Sequence, residues 1–116
     1  RGWRSQHELV LVAMRVTQPF DPKKAQGNVI QSNRTGNKLH PTQKPVDLLE
    51  KILDVTDMAG VIYDPFAGSG GTMVACENLR RKCRAIELGP AFCAVILERM
   101  AQAFPKLEIT RDDGAG

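Results

Sequence analysis

The chain has 116 residues, 42% of them hydrophobic and 25% charged, a composition that indicates one ordinary globular unit and excludes collagen-like, disulfide-scaffold and fully disordered proteins. Its net charge of +3 favours an anionic partner only weakly, because solvated lysines and arginines are common on any surface. No apolar run reaches the roughly 18 residues that span a bilayer, so we expect no membrane association and a cytoplasmic location. The three cysteines lack CxxC spacing, which predicts reduced thiols and no metal site.

The N-terminal part of the chain divides into a strand segment, 1–16, and a polar loop, 17–44. Positions 7–15 read HELVLVAMR, a Leu- and Val-rich run that predicts a buried strand, and Trp3 is expected in the core. From residue 17 the sequence turns to Gln, Asn, Lys, Gly and Pro without apolar periodicity. Such a stretch is typical of a long functional loop.

From residue 45 onward helix and strand patterns alternate. PVDLLEKILDVTD predicts a helix with Pro45 in its first turn, which Gly60 is expected to end. VIY predicts a short buried strand ending at Asp64. Three further elements and a last short strand follow in the runs TMVACENLRR (helix), CRAIEL (strand), PAFCAVILERMAQAF (helix) and LEIT (strand). This alternation with short connections predicts an α/β fold with a doubly wound sheet.

A glycine-rich loop follows the strand that ends at Asp64. Its glycines, Gly68, Gly70 and Gly71, permit positive φ and close approach of a ligand to the backbone, at the strand ends where open α/β sheets bind ligands. We interpret the loop as a cofactor-binding loop rather than a plain turn. A Walker loop would continue with Lys-Ser/Thr, and a dinucleotide loop would have glycine in place of Met73, so neither pattern matches well.

Two acidic residues narrow the choice of cofactor. Glu87 ends the next strand, at about the spacing where a carboxylate accepts hydrogen bonds from a ribose diol. Asp64 lies where few phosphate-binding features are present, which favours a positively charged cofactor. S-adenosylmethionine carries an ammonium group, a sulfonium group and a ribose diol, and it satisfies both indications.

Three segments resemble the DNA amino-methyltransferases in the same order: HPTQKPVDLLEKI, DPFAGSGGT and the acid in AIEL. The resemblance covers about residues 40–100. It implies a Rossmann-like methyltransferase sheet that binds S-adenosylmethionine and methylates the exocyclic amine of adenine or cytosine in double-stranded DNA, as restriction-modification enzymes do.

The resemblance also implies a set of cofactor-binding residues. The loop residues would shape the pocket for the methionine part, Glu87 would hold the ribose hydroxyls, Leu88 would pack on the adenine, and positions 42–45 would form a wall beside the cofactor. The full set is Thr42, Gln43, Lys44, Pro45, Asp64, Pro65, Phe66, Gly68, Ser69, Gly70, Thr72, Glu87 and Leu88.

Contacts with DNA phosphates are expected from the polar loop. Arg34 and Lys38 lie in the stretch that leads to the predicted pocket, and cations there would neutralise phosphates. The basic run at positions 80–84 falls at a helix-to-strand turn on the opposite side. We expect that run to be a solvated turn.

The family's catalytic motif is a polar residue followed by two prolines and an aromatic residue, and it binds the flipped base. None of the seven prolines here is adjacent to another. We therefore expect 1–116 to be a partial methyltransferase domain in which 45–110 forms the cofactor-binding half. The catalytic half would lie upstream of Arg1, and the isolated chain would be inactive, with exposed apolar edges that favour homodimers or aggregates.

Two other functions are compatible with parts of the pattern. One is a non-catalytic module that senses the cofactor or binds a partner. The other is a nicotinamide-dependent oxidoreductase, against which Met73 and the HPTQKP segment argue.

Overall fold

A computed structural model describes residues 2–3, 8–15, 20–32, 44–56 and 59–114. In these ranges the elements follow the order α1 (Val46–Asp54), β1 (Ile62–Asp64), α2 (Gly71–Asn78), β2 (Cys83–Ala85) and α3 (Pro90–Ala103). The alternation of helix and strand predicted from residue 45 is confirmed up to the end of α3. No helix of this described part is long and apolar enough to cross a membrane.

The strands pair in parallel through the connecting helix α2. Ile62 lies opposite Cys83 and Tyr63 opposite Arg84. Because side chains alternate along a strand, Ile62 and Cys83 are half-buried, whereas Tyr63 and Arg84 are exposed. We call the second surface, with Val61, Tyr63, Arg84 and Ile86, the open face of the sheet.

A small core lies between the sheet, α2 and α3. Four buried residues form it, and five partly buried ones pack against it: Ala67, Val74, Ile96 and Met100, with Val46, Met73, Ala85, Phe104 and Leu107. The cysteines are free thiols in α2, β2 and α3, as predicted. Burial raises the pKa of Cys76 to about 12, so this thiol stays protonated at neutral pH and is a packing group rather than a nucleophile.

Residues 20–32, which we call the strap, run antiparallel to α1. At the C-terminal end of α1 the N–H of Asp21 donates to the carbonyl of Val55 at 2.9 Å. At the N-terminal end the hydroxyl of Ser32 donates to the Asp47 carboxylate at 2.7 Å. The polar loop predicted from the sequence is therefore docked along a helix over this part of its length.

Helix α2 ends in a Schellman motif. The N–H of Arg81 donates to the carbonyl of Cys76 at 2.8 Å, and the N–H of Arg80 donates to that of Glu77 at 3.1 Å. Arg80 has φ of 56°, the left-handed conformation that this motif requires and that glycine adopts at least cost. The Arg80 side chain is exposed, so burial does not explain why arginine rather than glycine occupies this position.

Replacing Arg80 with glycine should therefore raise the free energy of unfolding by about 0.5–1 kcal/mol, because relief of the left-handed strain, roughly 1–2 kcal/mol, exceeds the entropy that glycine loses on folding, roughly 0.5–1 kcal/mol. Guanidinium chloride unfolding followed by circular dichroism measures the change. Arg80→Ala is the matched control, since it removes the same charge and keeps the Cβ atom. Equal stability of the two variants would contradict the explanation.

Arg81 differs from the other basic residues of the run at positions 80–84. It is 5% exposed, and its guanidinium donates to the carbonyl of Leu53 at 3.2 Å, the hydroxyl of Thr56 at 2.8 Å and the carbonyl of Gly60 at 3.3 Å. The prediction of a solvated turn is wrong for this residue. Arg81 ties the end of α1 to the start of β2.

Four further sequence predictions are corrected by the structure. Residues 8–15 form no strand, since no neighbouring backbone in the described part pairs with them, and LEIT is irregular for the same reason. α1 ends at Asp54 with Val55 as its C-cap, ahead of Gly60. Trp3 is fully exposed, because no described element packs on it.

Candidate functional site

The segment from the last residue of β1 to the first residue of α2, residues 64–71, which we call the glycine loop, contains a tight turn. The N–H of Gly70 donates to the carbonyl of Ala67 at 2.9 Å, and Gly68, second in this four-residue turn, has φ of 57°. Gly70 itself has φ of 86° and is the N-cap of α2. Both conformations favour glycine, which explains why the sequence places glycine at these positions.

Two glycines also allow close packing around the turn. A Cβ atom on Gly70 would lie 3.0 Å from a side-chain carbon of Ile96 in α3. A Cβ atom on Gly71 would lie 3.1 Å from Leu49 and 3.6 Å from the carbonyl oxygen of Lys44. The start of α1, including the predicted wall residue Lys44, therefore lies directly beside the start of α2.

Glu87 binds the glycine loop directly. Its Oε2 accepts the N–H of Gly68 at 2.7 Å, and its Oε1 accepts the N–H of Gly89 at 3.0 Å. One carboxylate thus joins the glycine loop to the segment that leads into α3. Each oxygen of a carboxylate has two lone-pair sites, so Glu87 retains capacity for further donors.

Asp64 and Glu87 lie at the same edge of the sheet. The Asp64 carboxylate accepts the N–H of Phe66 at 3.0 Å, which stabilises the bend at Pro65. Its carbonyl accepts the N–H of Ile86 at 2.9 Å. Parallel strands present their carboxyl ends together, and the two acids follow from that geometry.

Apolar side chains flank the two acids. Phe66 is 87% exposed and Leu88 is 95% exposed, whereas the neighbouring Ser69 is buried. Thr72 lies half-buried in the first turn of α2. Large exposed apolar groups beside carboxylates and a helix N-terminus suit a ligand with both apolar and polar parts.

The predicted site residues fall into two groups. Those between positions 64 and 88, together with Lys44 and Pro45, surround the glycine loop. Thr42 and Gln43, and the DNA-contact candidates Arg34 and Lys38, lie outside the described residues. The assignment of both groups to a ligand stays a prediction.

Two residues near the loop were not identified from the sequence. Arg99, in α3, donates from its guanidinium to the Ser69 carbonyl at 3.2 Å, and Glu8 forms an ion pair with Lys44. Arg99 lies three positions after the core residue Ile96, so helical spacing already placed it on that side of α3. No comparable signal marks Glu8, since its partner is distant in sequence.

The comparisons with known proteins that follow all find methylases or methyltransferases. A family model described as DNA methylase matches residues 6–98. The Escherichia coli (strain K12) protein named "Putative methylase YubD" is 36% identical over 88 residues, 75% of this chain and 37% of that protein. The type II methyltransferase M.HpaI of Haemophilus parainfluenzae is 34% identical over 68 residues, 58% of this chain and 22% of that enzyme.

A solved structure is similar as well. The crystal structure of the M1.HpyAVI–SAM complex superimposes with a TM-score of 0.61 and 32% identity, covering 74% of this chain and 45% of that one. The chain thus spans less than half the length of each of these three proteins.

Proposed function

Because the chain belongs to the DNA methylase family, we propose that it is the S-adenosylmethionine-binding part of an enzyme that methylates the exocyclic amine of adenine or cytosine in DNA. The observation that carries the proposal is the carboxylate of Glu87, which lies against the glycine loop at 2.7 Å from the N–H of Gly68. The glycine loop and the Glu87 carboxylate meet at the carboxyl ends of the two parallel strands, the edge at which open α/β sheets bind ligands.

The donor set fits the cofactor chemically. Glu87 has lone pairs left to accept the two ribose hydroxyls, and Leu88 beside it offers an apolar surface for the adenine. Asp64 adds negative charge for the ammonium and sulfonium groups. In α2 the first N–H that donates within the helix is that of Val74, to the carbonyl of Gly70. The N–H groups of the preceding first turn point toward the helix end, which suits binding of the carboxylate of the methionine part.

In this proposal the chain's residues bind and orient rather than react. When bound, S-adenosylmethionine supplies an electrophilic methyl group. The glycine loop, the wall at Lys44 and Pro45, and Glu87 would hold its position, which is the main contribution that a direct transfer needs from the protein. Residues that polarise the amine would come from outside these 116 residues, because no Pro-Pro pair is present here.

Exposed apolar residues on the open face of the sheet support the proposal that a catalytic half outside these 116 residues packs there. Val61, Tyr63 and Ile86 are each more than half exposed there, and the run at positions 9–12 is exposed too. Apolar surface of this kind is usually covered, and YubD is long enough to supply the cover, since the chain matches 37% of it. We infer that the catalytic half covers this face, and that a second copy of the chain covers it when the chain is isolated.

Double-stranded DNA is the proposed partner, because the chain belongs to the DNA methylase family. Arg34 and Lys38 would contact phosphates of double-stranded DNA from the segment before α1. An enzyme acting on chromosomal DNA would work in the cytoplasm of a bacterial cell. A cofactor-sensing module without catalysis is the second candidate, favoured by the absence of adjacent prolines in the chain.

Calorimetric titration of S-adenosylmethionine into the purified chain tests the proposal. We expect saturable binding at one site, and no heat from a nicotinamide dinucleotide, since Met73 packs against the core where a dinucleotide loop would have its last glycine. A folded chain that bound the dinucleotide instead, or neither ligand, would contradict it. Radiolabelled methyl transfer to DNA by the longer protein then separates an enzyme from a sensing module.

A further inference from the structure

We propose that Arg99, a residue of α3 outside the predicted set, is a positioning residue that fixes the shape of the glycine loop. This inference rests on the proposed function, because its significance depends on the loop binding a ligand. Its structural basis is independent: the guanidinium Nη1 donates to the carbonyl oxygen of Ser69 at 3.2 Å and lies 3.4 Å from the Ser69 hydroxyl.

The contact reaches the loop at the peptide that decides its geometry. Ser69 lies between the two glycines with positive φ, and its peptide carbonyl belongs to the same peptide unit as the N–H of Gly70. That N–H closes the turn on the Ala67 carbonyl. A donor that holds the Ser69 carbonyl toward α3 therefore also holds the Gly70 N–H in the turn, since the peptide unit is planar.

Burial strengthens the contact. Ser69 is 4% exposed, and Arg99 is partly buried. Burial also lowers the pKa of Arg99 from its ordinary value, because it removes part of the hydration of the charged guanidinium. A charged donor in such surroundings makes a stronger hydrogen bond than one in water.

Arg99 and Glu87 hold the loop at two different peptide groups of its turn. Glu87 accepts the N–H of Gly68, before Ser69, and Arg99 donates to the carbonyl of Ser69 itself. Neither residue belongs to the loop. The loop is thus shaped in the absence of ligand, so less ordering would oppose cofactor binding.

The experiment compares four chains under conditions in which all are folded: wild type, Arg99→Met, Arg99→Lys and Leu107→Ala. Two quantities are measured, the Kd for S-adenosylmethionine by calorimetry and the hydrogen-exchange rate of the Gly70 amide without ligand by NMR. Arg99→Met keeps the aliphatic stem and removes the donor. Leu107 packs against the core and is not one of the predicted cofactor-binding residues, so its variant shows whether lost core packing alone weakens binding.

We expect Arg99→Met to weaken binding about tenfold and to speed exchange of the Gly70 amide, with Arg99→Lys restoring part of both. Leu107→Ala should keep the wild-type Kd. Unchanged affinity and exchange in Arg99→Met, or equal loss of affinity in Leu107→Ala, would overturn the inference.

Two further outcomes remain decisive. If the wild-type chain binds no S-adenosylmethionine, the proposed function fails, and the Gly70 exchange rate alone decides the role of Arg99. If Arg99→Met does not fold, Arg99→Lys decides: the lysine side chain is shorter, so its ammonium should hold the Ser69 carbonyl less well than Nη1 does, and Gly70 exchange at the wild-type rate in that variant would refute the role.

Discussion

Replacing Glu87 with glutamine is expected to weaken S-adenosylmethionine binding by about two orders of magnitude. The substitution changes little in size but turns one acceptor oxygen into an amide donor, which then faces the N–H of Gly68 or that of Gly89. It also removes the negative charge of the carboxylate, which would accept hydrogen bonds from the ribose hydroxyls. Hydrogen bonds to a charged group contribute about 1.5–3 kcal/mol each, and the loss of one or two accounts for the expected change.

Calorimetry measures the affinity for S-adenosylmethionine. Hydrogen exchange of the Gly68 amide measures how stably that part of the glycine loop is held. Glu108→Gln is the matched control, because Glu108 is exposed and remote in sequence from the loop, and it should bind like the wild type. Affinity of Glu87→Gln within threefold of the wild type would refute the assignment. Lost affinity with unchanged Gly68 exchange would mean that Glu87 acts on the ligand without shaping the loop.

Replacing Arg81 with methionine should lower the free energy of unfolding by about 3 kcal/mol. The guanidinium satisfies acceptors of Leu53, Thr56 and Gly60, residues that lie at least 21 positions away in the chain. Methionine fills similar space but removes three hydrogen bonds from a charged donor, and the loss of each costs about 1 kcal/mol or more. Denaturant unfolding followed by circular dichroism gives the value.

Arg84→Met is the control for this second prediction. It removes the same charge from an exposed position on the open face of the sheet, where substitutions usually change stability by less than about 0.5 kcal/mol. Arg81→Lys should be intermediate, because one ammonium cannot reach all three acceptors. If Arg81→Met and Arg84→Met were equally stable, the buried guanidinium would not be holding α1 in place.

The sequence was most informative where structure depends on short-range features. The presence and order of α1, α2 and α3 were predicted, Pro45 and Pro90 mark where α1 and α3 begin, and the glycine loop follows from its own residues. The Rossmann-like class is confirmed by the superposition on the M1.HpyAVI–SAM complex. Local pattern and fold class agree because helix faces and turn residues are specified within a few positions.

The rest depends on contacts between distant residues. The roles of Arg81 and Arg99 depend on partners 21–30 positions away, and composition does not distinguish such arginines from solvated ones. The run at positions 8–15 has the composition of a strand, yet a strand forms only when another backbone pairs with it. Strand propensity is therefore a statement about surroundings that the sequence of one segment does not contain.

The antiparallel course of the strap has a consequence for how the segment after it can vary. Ser32 is bonded to Asp47 in the first turn of α1, and Pro45 precedes that same turn, so the connection from residue 33 to residue 43 leaves from and returns to one end of a helix. Inserting extra residues there as flexible chain, to double its length, would cost only about 0.6 kcal/mol in closure entropy. Sequences of different length could be exchanged at this place while α1 and the glycine loop keep their geometry.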